Sequence, residues 1–365
     1  MNDRLVYVVI LNWNGWADTL ECLESVFRSN YHNYRVIVCD NNSHDGSVAK
    51  IVSWADGLLN VYVGANNKLR SLSWPPVVKP IKCQLIVNNL QTEHVSEYNK
   101  DLKLTIIKTG GNLGFAGGNN VGIRYAEKAG DNDFIWLLNN DAVSACDSLT
   151  MLVKTMEDNP SAGICGSTLV YYSDPDKVQV AGGVNYNKWL GIGRKLCAMQ
   201  SIDLLISNRC AVSDMSYVEG ASMFVSKEFV KKIGLLNEEY FLYFEEIDWA
   251  VRSRGQFGLV YSRNSIVYHK EGASIGSSCN QAIKSNKAEF FFMKSRIIFT
   301  RKYYPAALLT VYFSMCLALL NRLRRRQWSK IFVILSIFCG AKEYGCCYMD
   351  ADNGSKKTMV NGELQ

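Results

Sequence analysis

A chain of 365 residues with 48% hydrophobic and 20% charged side chains has the length for one large or two ordinary domains and is too apolar to be disordered. Its net charge of +6 is unevenly spread: Phe290 to Lys342 holds ten basic residues and no acidic one, leaving 30 Lys and Arg against 34 Asp and Glu elsewhere. Twelve cysteines without a C-x-x-C pair, beside only four histidines, argue against a Cys/His zinc centre and for reduced, mostly buried thiols.

The first apolar run, Leu5 to Leu11, is β-branched, ends at Asn-Trp-Asn-Gly and lacks a small-residue cleavage site, so it reads as a strand and not a signal peptide. "DTLECLESVFRS" has helical spacing, with Asp18 and Glu21 placed as a capping box. "YRVIVCD" is a second strand, ending at Asp40 and followed by a polar loop. Near-continuous apolar strands around a helix imply a buried parallel sheet. From about residue 63 to 100 the pattern breaks at Pro75, Pro76 and Pro80, and this stretch reads as an insertion in which "CQLIV" is a stray strand. "LKLTIIKTG" resumes the sheet, "GNNVGIRYAEKAG" is a helix, "DFIWLLNND" a strand, and "DSLTMLVKTMED" a helix with Asp147 as N-cap. After Pro160 the chain turns β-rich, with helices at "KEFVKKIG" and "FEEIDWAVRSRG" and a strand at "FGLVYSRNSIVYHK". From about Ala282 it is helical, apolar and basic, and beyond Asp350 it reads as a disordered tail.

Ligands of open α/β sheets bind beyond the carboxyl ends of the strands. Four such ends finish in short polar groups: Asn12-Trp13-Asn14, Asp40-Asn41-Asn42-Ser43, Gly110-Gly111-Asn112 and Asn139-Asn140-Asp141. Neither G-x-G-x-x-G after the first strand nor a P-loop is present, which argues against a dinucleotide or P-loop enzyme. Strand alternation puts Asn139 and Asp141 on one face, where an amide oxygen and a carboxylate suit Mg2+ or Mn2+ and, through it, a diphosphate. "NND" read alone is more often a turn or a helix cap. In "YFEEIDW", Glu245, Glu246 and Asp248 crowd among aromatics, an environment that raises a carboxylate pKa and suits a general base. His269 follows a strand and is either structural or a metal ligand.

Taken in order, "VVILNWNG", "VIVCDNNSHDGS", "GGNLGFAGGNNVGI", "WLLNNDA", "VEGASMFVSKEFVKKIGLLNEEYFLYFEEIDWAVRSRG" and "VYHKEGAS" resemble family 2 glycosyltransferases, most of all the rhamnosyltransferase-like branch of bacterial surface polysaccharide synthesis. The resemblance covers roughly residues 4 to 305 and implies a GT-A fold: an α/β, mostly parallel sheet flanked by helices, with a β-containing acceptor half. The implied layout is a catalytic domain over 1–280, a membrane-associating helical region over 281–349 and the tail. By the same resemblance Asn12, Asn14, Asp40 and Asn42 hold the nucleoside, and Asn112, Gly114, Phe115, Gly117 and Asn119 line the donor pocket. Asn139, Asn140 and Asp141 occupy the D-x-D position, with Asp141 and His269 as metal ligands. Glu246 is the general base, and Glu245 and Asp248 place base or acceptor. Two departures stand out. Asn139 replaces an aspartate, and Glu246 is one methylene longer than the family's usual aspartate, which leaves Asp248 as a rival base. The implied reaction is inverting transfer from a nucleotide sugar, dTDP-rhamnose first, to a lipid-linked glycan. A sugar-nucleotide nucleotidyltransferase and a non-catalytic scaffold of the same fold are the alternatives.

"AALLTVYFSMCLALL" and "IFVILSIFCGA" flank "NRLRRRQWSK" and fall short of the ~20 apolar residues of a spanning helix. They read as re-entrant or interfacial helices, with Arg322, Arg324, Arg325, Arg326 and Lys330 against an anionic membrane surface and Tyr303, Tyr304 and Trp328 at the interface; a core helix pair or an oligomer contact is the alternative. The expected location is the cytoplasmic face of a bacterial inner membrane. Oily residues dominate the basic stretch, so nucleic acid is not an expected partner. Oligomeric state has no signal in the sequence.

Overall fold

The computed structural model describes residues 4–87, 99–209, 212, 214–270 and 285–341. The tail beyond residue 350, residues 271–274 of "VYHKEGAS" and residues 88–98 of the expected insertion lie outside the described residues.

The first half of the chain forms β1 (Val6–Asn12), α1 (Trp16–Val26), β2 (Tyr34–Asp40), α2 (Ser47–Ala55), β3 (Cys83–Val87), β4 (Leu104–Lys108), α3 (Gly114–Ala129), β5 (Phe134–Asn139), β6 (Ala142–Ser144) and α4 (Ser148–Glu157). The second half adds β7 (Ala162–Tyr171), β8 (Val178–Ala181), β9 (Gly183–Asn187), β10 (Ile192–Lys195), α5 (Ile202–Ile206), β11 (Tyr217–Val218), β12 (Ser222–Ser226), α6 (Lys227–Ile233), α7 (Glu245–Arg252), β13 (Gly258–His269), α8 (Asn286–Tyr303), α9 (Leu308–Arg324) and α10 (Trp328–Phe338). One ten-stranded sheet runs β3-β4-β2-β1-β5-β12-β7-β13-β6, with β8 beside β7; β10, β9 and β11 form a small second sheet. From β3 to β5 every pairing is parallel, and β12 then enters antiparallel to both β5 and β7.

Side chains of β1 alternate between two cores, as the pleat requires. Val6, Val8 and Ile10 pack with residues of α1, α2 and α4, while Tyr7 and Val9 pack with residues of α3 and α6. β1 lies between β2 and β5, so the chain order reverses direction at its carboxyl end. Ligand sites of open sheets form at such a crevice, and Asn12 and Asn139 stand on its two sides.

Several expectations need correction. Asp18 and Glu21 do not cap α1; they bind Lys270 Nζ at 2.7 and 2.5 Å, a partner nearly 250 residues away. Asp147 holds the N-cap position of α4, but its side chain makes no capping bond. "CQLIV" forms a strand as expected, but it is not a stray one: β3 is the edge of the main sheet, parallel to β4. The segment before it is fastened to the fold: Lys79 Nζ reaches the buried Glu24 carboxylate at 2.8 Å, and Val77 N donates to the same group. Of the eight free cysteines among the described residues only Cys22, Cys39 and Cys165 are buried.

The C-terminal helices build a small core of their own, in which Phe290 and Met293 of α8 meet Val311 and Met315 of α9 and Val333 and Ile334 of α10. Residues Pro305–Arg324 form a helix of 20 residues, long and apolar enough to cross a membrane by length and composition and longer than the apolar run suggested. Arg324, Arg325 and Arg326 are exposed as expected. Arg322 and Lys330 are not: both are buried, and Arg322 pairs with Glu289 of α8 at 3.1 Å.

Candidate active site

The carboxyl ends of β1, β2, β4 and β5 meet the start of α7 and the end of β13 around a cavity of about 200 Å³. β13 pairs antiparallel with β6, His269 opposite Ala142, and that register brings the imidazole to Asp141. His269 Nε2 lies 3.1 Å from Asp141 Oδ1 and 3.4 Å from Asn139 Nδ2. On the ring's other side Nδ1 lies 3.1 Å from Gln179 Oε1, and an imidazole that donates there from Nδ1 would leave its Nε2 lone pair for a metal beside Asp141. The Nε2 and Oδ1 atoms stand 3.1 Å apart, close to the spacing of neighbouring ligand atoms about an octahedral ion with bonds of roughly 2.2 Å. The pair fits a divalent cation. An imidazole nitrogen suits Mn2+ better than the harder Mg2+. Among the described residues no group of three or more His, Cys, Asp and Glu side chains gathers to hold a metal, so substrate and water oxygens would complete such a site.

Glu245 and Glu246 open α7 immediately after Tyr243 and Phe244, two non-glycine residues at φ 67 and 74. A left-handed pair of aromatics is unfavourable and is held here by the aromatic packing around α8, where Phe244 meets Phe292 and Phe299. Both glutamates line the cavity with Asp141 and His269. Burial first, then the neighbouring Glu219 charge, pushes the Glu246 carboxyl up to about 7. Burial and the Glu246 charge push Glu245 well above the carboxylate range, and its buried Oε2 has no hydrogen-bond partner. Gly220 lies against Glu246: a Cβ there would come within 2.4 Å of Oε1.

Asp248 is placed differently from the two glutamates. It is fully buried, it does not line the cavity, and its carboxylate is occupied by Arg252 at 2.7 Å, Lys302 at 3.2 Å and the Tyr303 hydroxyl at 2.8 Å. Burial alone would raise its pKa, but the Tyr303 hydroxyl and the Arg252 cation hold it below the usual range.

The donor-side residues divide into two groups. Asn112, Gly114, Phe115, Asn139 and Asn140 line the cavity. Asn12, Asn14, Asp40, Asn42, Gly117 and Asn119 do not. Asn12 Nδ2 donates to Asp40 Oδ1 at 2.8 Å, and Asn14 Oδ1 accepts from His44 N at 2.7 Å, so they brace the loops under the site. Asn42 is exposed; Asn41 instead turns inward and donates to Asn112 Oδ1 and Gly114 O. Asn119 donates to Phe115 O within α3. At Gly117 a Cβ would meet Leu113 Cβ at 2.8 Å, so its part is close packing. Gly114 has φ +70 and lies against Phe241, whose carbonyl accepts from Phe115 N at 2.8 Å; no side chain fits there.

Residues that the sequence did not single out also face the cavity, among them Trp13, Glu219, Gly220, Phe241 and Lys287. Trp13 and Glu219 sat inside quoted motifs and could have been found there. Lys287, at the start of α8, approaches the Trp13 ring at 4.8 Å and had no local signal.

The Glycosyl transferase family 2 pattern matches residues 7–72 and 84–212, more than half of the chain, and the chain belongs to that family. Among relatives, the low-salt glycan biosynthesis hexosyltransferase Agl10 of Haloferax volcanii is 24% identical over 171 residues, which span 47% of this chain and 52% of that protein. The matched chain therefore reaches about half of that relative's length. Among solved structures, the mannosyltransferase PcManGT of Pyrobaculum calidifontis, in complex with GDP-Man and Mn2+, has a TM-score of 0.50 at 12% identity and covers 93% of this chain and 88% of its own. TarS 1–349 of S. aureus has a TM-score of 0.45 at 10% identity, covering 85% and 71%. The likeness to PcManGT is one of fold, and it agrees with the mostly parallel sheet flanked by helices described above.

Proposed function

We propose that this protein is an inverting glycosyltransferase that moves a sugar from a nucleotide-sugar donor to a hydroxyl of a lipid-linked glycan, in the assembly of a cell-surface polysaccharide. The observation that carries this reading is that Asp141, His269 and Glu246 face one cavity although they come from three separate elements. Family membership and the fold shared with PcManGT support a nucleotide-sugar donor; the donor sugar, for which dTDP-rhamnose is the first candidate, rests on motif resemblance.

Asp141 and His269 would hold a divalent cation, which when bound neutralises charge on a departing nucleoside diphosphate. Asn112, Gly114 and Phe115 shape the donor side of the cavity, and Asn41 holds the Asn112 side chain and the Gly114 carbonyl. Glu246, with a carboxyl near 7, is poised to accept a proton at neutral pH. As the acceptor oxygen bonds to the anomeric carbon, its proton passes to Glu246 and the bond from that carbon to the diphosphate oxygen breaks. One displacement inverts the anomeric centre and needs no sugar–enzyme bond. Glu245, on the same cavity wall as Glu246, would help to place the base or the acceptor. Leu309, Phe313 and Leu317 form an exposed apolar stripe on α9, and with Arg324 to Arg326 they support seating on the cytoplasmic face of a membrane where a lipid-linked acceptor would lie.

The test is release of nucleoside diphosphate from a panel of nucleotide sugars with Mn2+, with and without a polyprenyl-linked glycan. Release that needs both metal and acceptor is expected. Release of pyrophosphate, or no turnover of any donor, would overturn the reading.

A further inference from the structure

A second and larger cavity, about 570 Å³, opens beside Glu246 and His269 and runs away from the donor side. Its far wall is made by α8 and α9, and that wall contributes two guanidinium groups, Arg296 and Arg322, and one carboxylate, Glu289. All three are deeply buried, at 2%, 4% and 2% exposure. Glu289 answers Arg322 at 3.1 Å. Arg296 has no such answer. Its Nη2 donates to Leu190 O and Ser314 Oγ, its Nη1 faces Met293 Sδ at 3.8 Å, and its Nε has no partner; among the described residues no carboxylate lies within ion-pair distance of it. Burial lowers its pKa to about 10, which nearby Tyr186 and the Glu289 charge only partly oppose.

Buried cations in excess of buried anions are costly unless an anion joins them. The arrangement is built and not loose: Gly191, at φ +64, packs so closely on Arg296 that a Cβ would fall 2.7 Å from Nε. We propose that Arg296 and Arg322 form an anion subsite for a phosphate or diphosphate group carried by the acceptor, at the far end of the cavity from Glu246. This rests on the reading of Glu246 as the base that faces the acceptor. Planar guanidinium forks match phosphoryl oxygens, which present more acceptors than a single carboxylate does. The helix that supplies Arg322 and Ser314 shows its apolar stripe, Leu309, Phe313 and Leu317, to the outside, so the phosphoryl group fits one at the head of an amphiphile better than a free ion.

The probe is decyl diphosphate, titrated calorimetrically into the full chain with EDTA present, with decyl maltoside as the uncharged control and inorganic pyrophosphate as the chain-free one. Decyl diphosphate is expected to bind at least about tenfold tighter than decyl maltoside, with pyrophosphate competing for it. Arg322→Met should weaken decyl diphosphate binding about tenfold or more and leave decyl maltoside unchanged. Glu289→Gln, which keeps the cations and removes the competing carboxylate, should tighten it; this second variant serves if Arg322→Met fails to fold. Equal binding of the charged and uncharged amphiphiles, or weakened binding in Glu289→Gln, would overturn the subsite. Nucleotide-sugar turnover measured in parallel reports on the transferase reading separately, because the titration uses neither donor nor metal.

Discussion

Glu246 occupies the second position of a helix, where the backbone dipole favours a carboxylate, yet burial and Glu219 raise its pKa to about 7. The acid limb of kcat/KM should therefore rise about tenfold per pH unit below 7 and flatten above it. A profile flat from pH 5 to 8 would remove Glu246 from the base role. The same shift has a stability consequence. The folded-state value lies above the ordinary 4.5, so folding favours the neutral acid; the cost of ionising it is absent below about 4.5 and complete above about 7. Glu246→Gln should then raise Tm by about 2–4 °C at pH 8 and leave it unchanged at pH 4, while lowering kcat at least about a hundredfold. Gly220→Ala tests position without touching charge. Its Cβ would displace the Glu246 carboxyl, and kcat should fall about a hundredfold. Sequence alone could not separate Glu246 from Asp248. The reason is rotational: at 3.6 residues per turn, two positions apart on a helix is a step of about 200°, so the two carboxylates face opposite sides, and which side holds the cavity is decided by packing against α8.

At the scale of elements, the parallel strands β1, β2, β4 and β5 were legible because buried strands of such sheets read as continuous apolar runs. Their polar ends pointed to the site for the same reason. What local pattern could not supply were partners distant in the chain: Lys270 for Asp18 and Glu21, Lys79 for Glu24, and the Asp248 cluster that docks α7 on α8 through Lys302 and Tyr303. A capping box and an ion-pair partner look alike until the fold chooses. Asp248→Asn should lower stability by about 3 kcal/mol, read as a reduced urea midpoint, because two cations lose a buried partner. Activity per folded molecule should stay within about tenfold of the parent, since Asp248 does not face the cavity. Loss of all turnover with unchanged stability would return Asp248 to the list of candidate bases.

For the whole molecule, one sheet joins strands β1, β2, β4 and β5 to β7, β12 and β13, and the helices α8 and α9 wall the larger cavity on its far side. The basic, oily C-terminal region therefore divides by burial: Arg322 and Lys330 turn inward, while Leu309, Phe313, Leu317 and Arg324 to Arg326 face out. Replacing Leu309, Phe313 and Leu317 together with Ser should cut co-sedimentation with anionic vesicles at least about tenfold and leave the melting temperature intact. Unchanged sedimentation would take the stripe out of membrane contact. The most direct check on the account is a crystal structure of the chain with Mn2+ and a nucleoside diphosphate, located by the anomalous signal of manganese. The expected result is an ion within about 2.5 Å of both Asp141 Oδ1 and His269 Nε2, bridging to the diphosphate, with open space between the β-phosphate and Glu246 for a sugar. A nucleotide bound elsewhere, or an ion that ignores that pair, would contradict it.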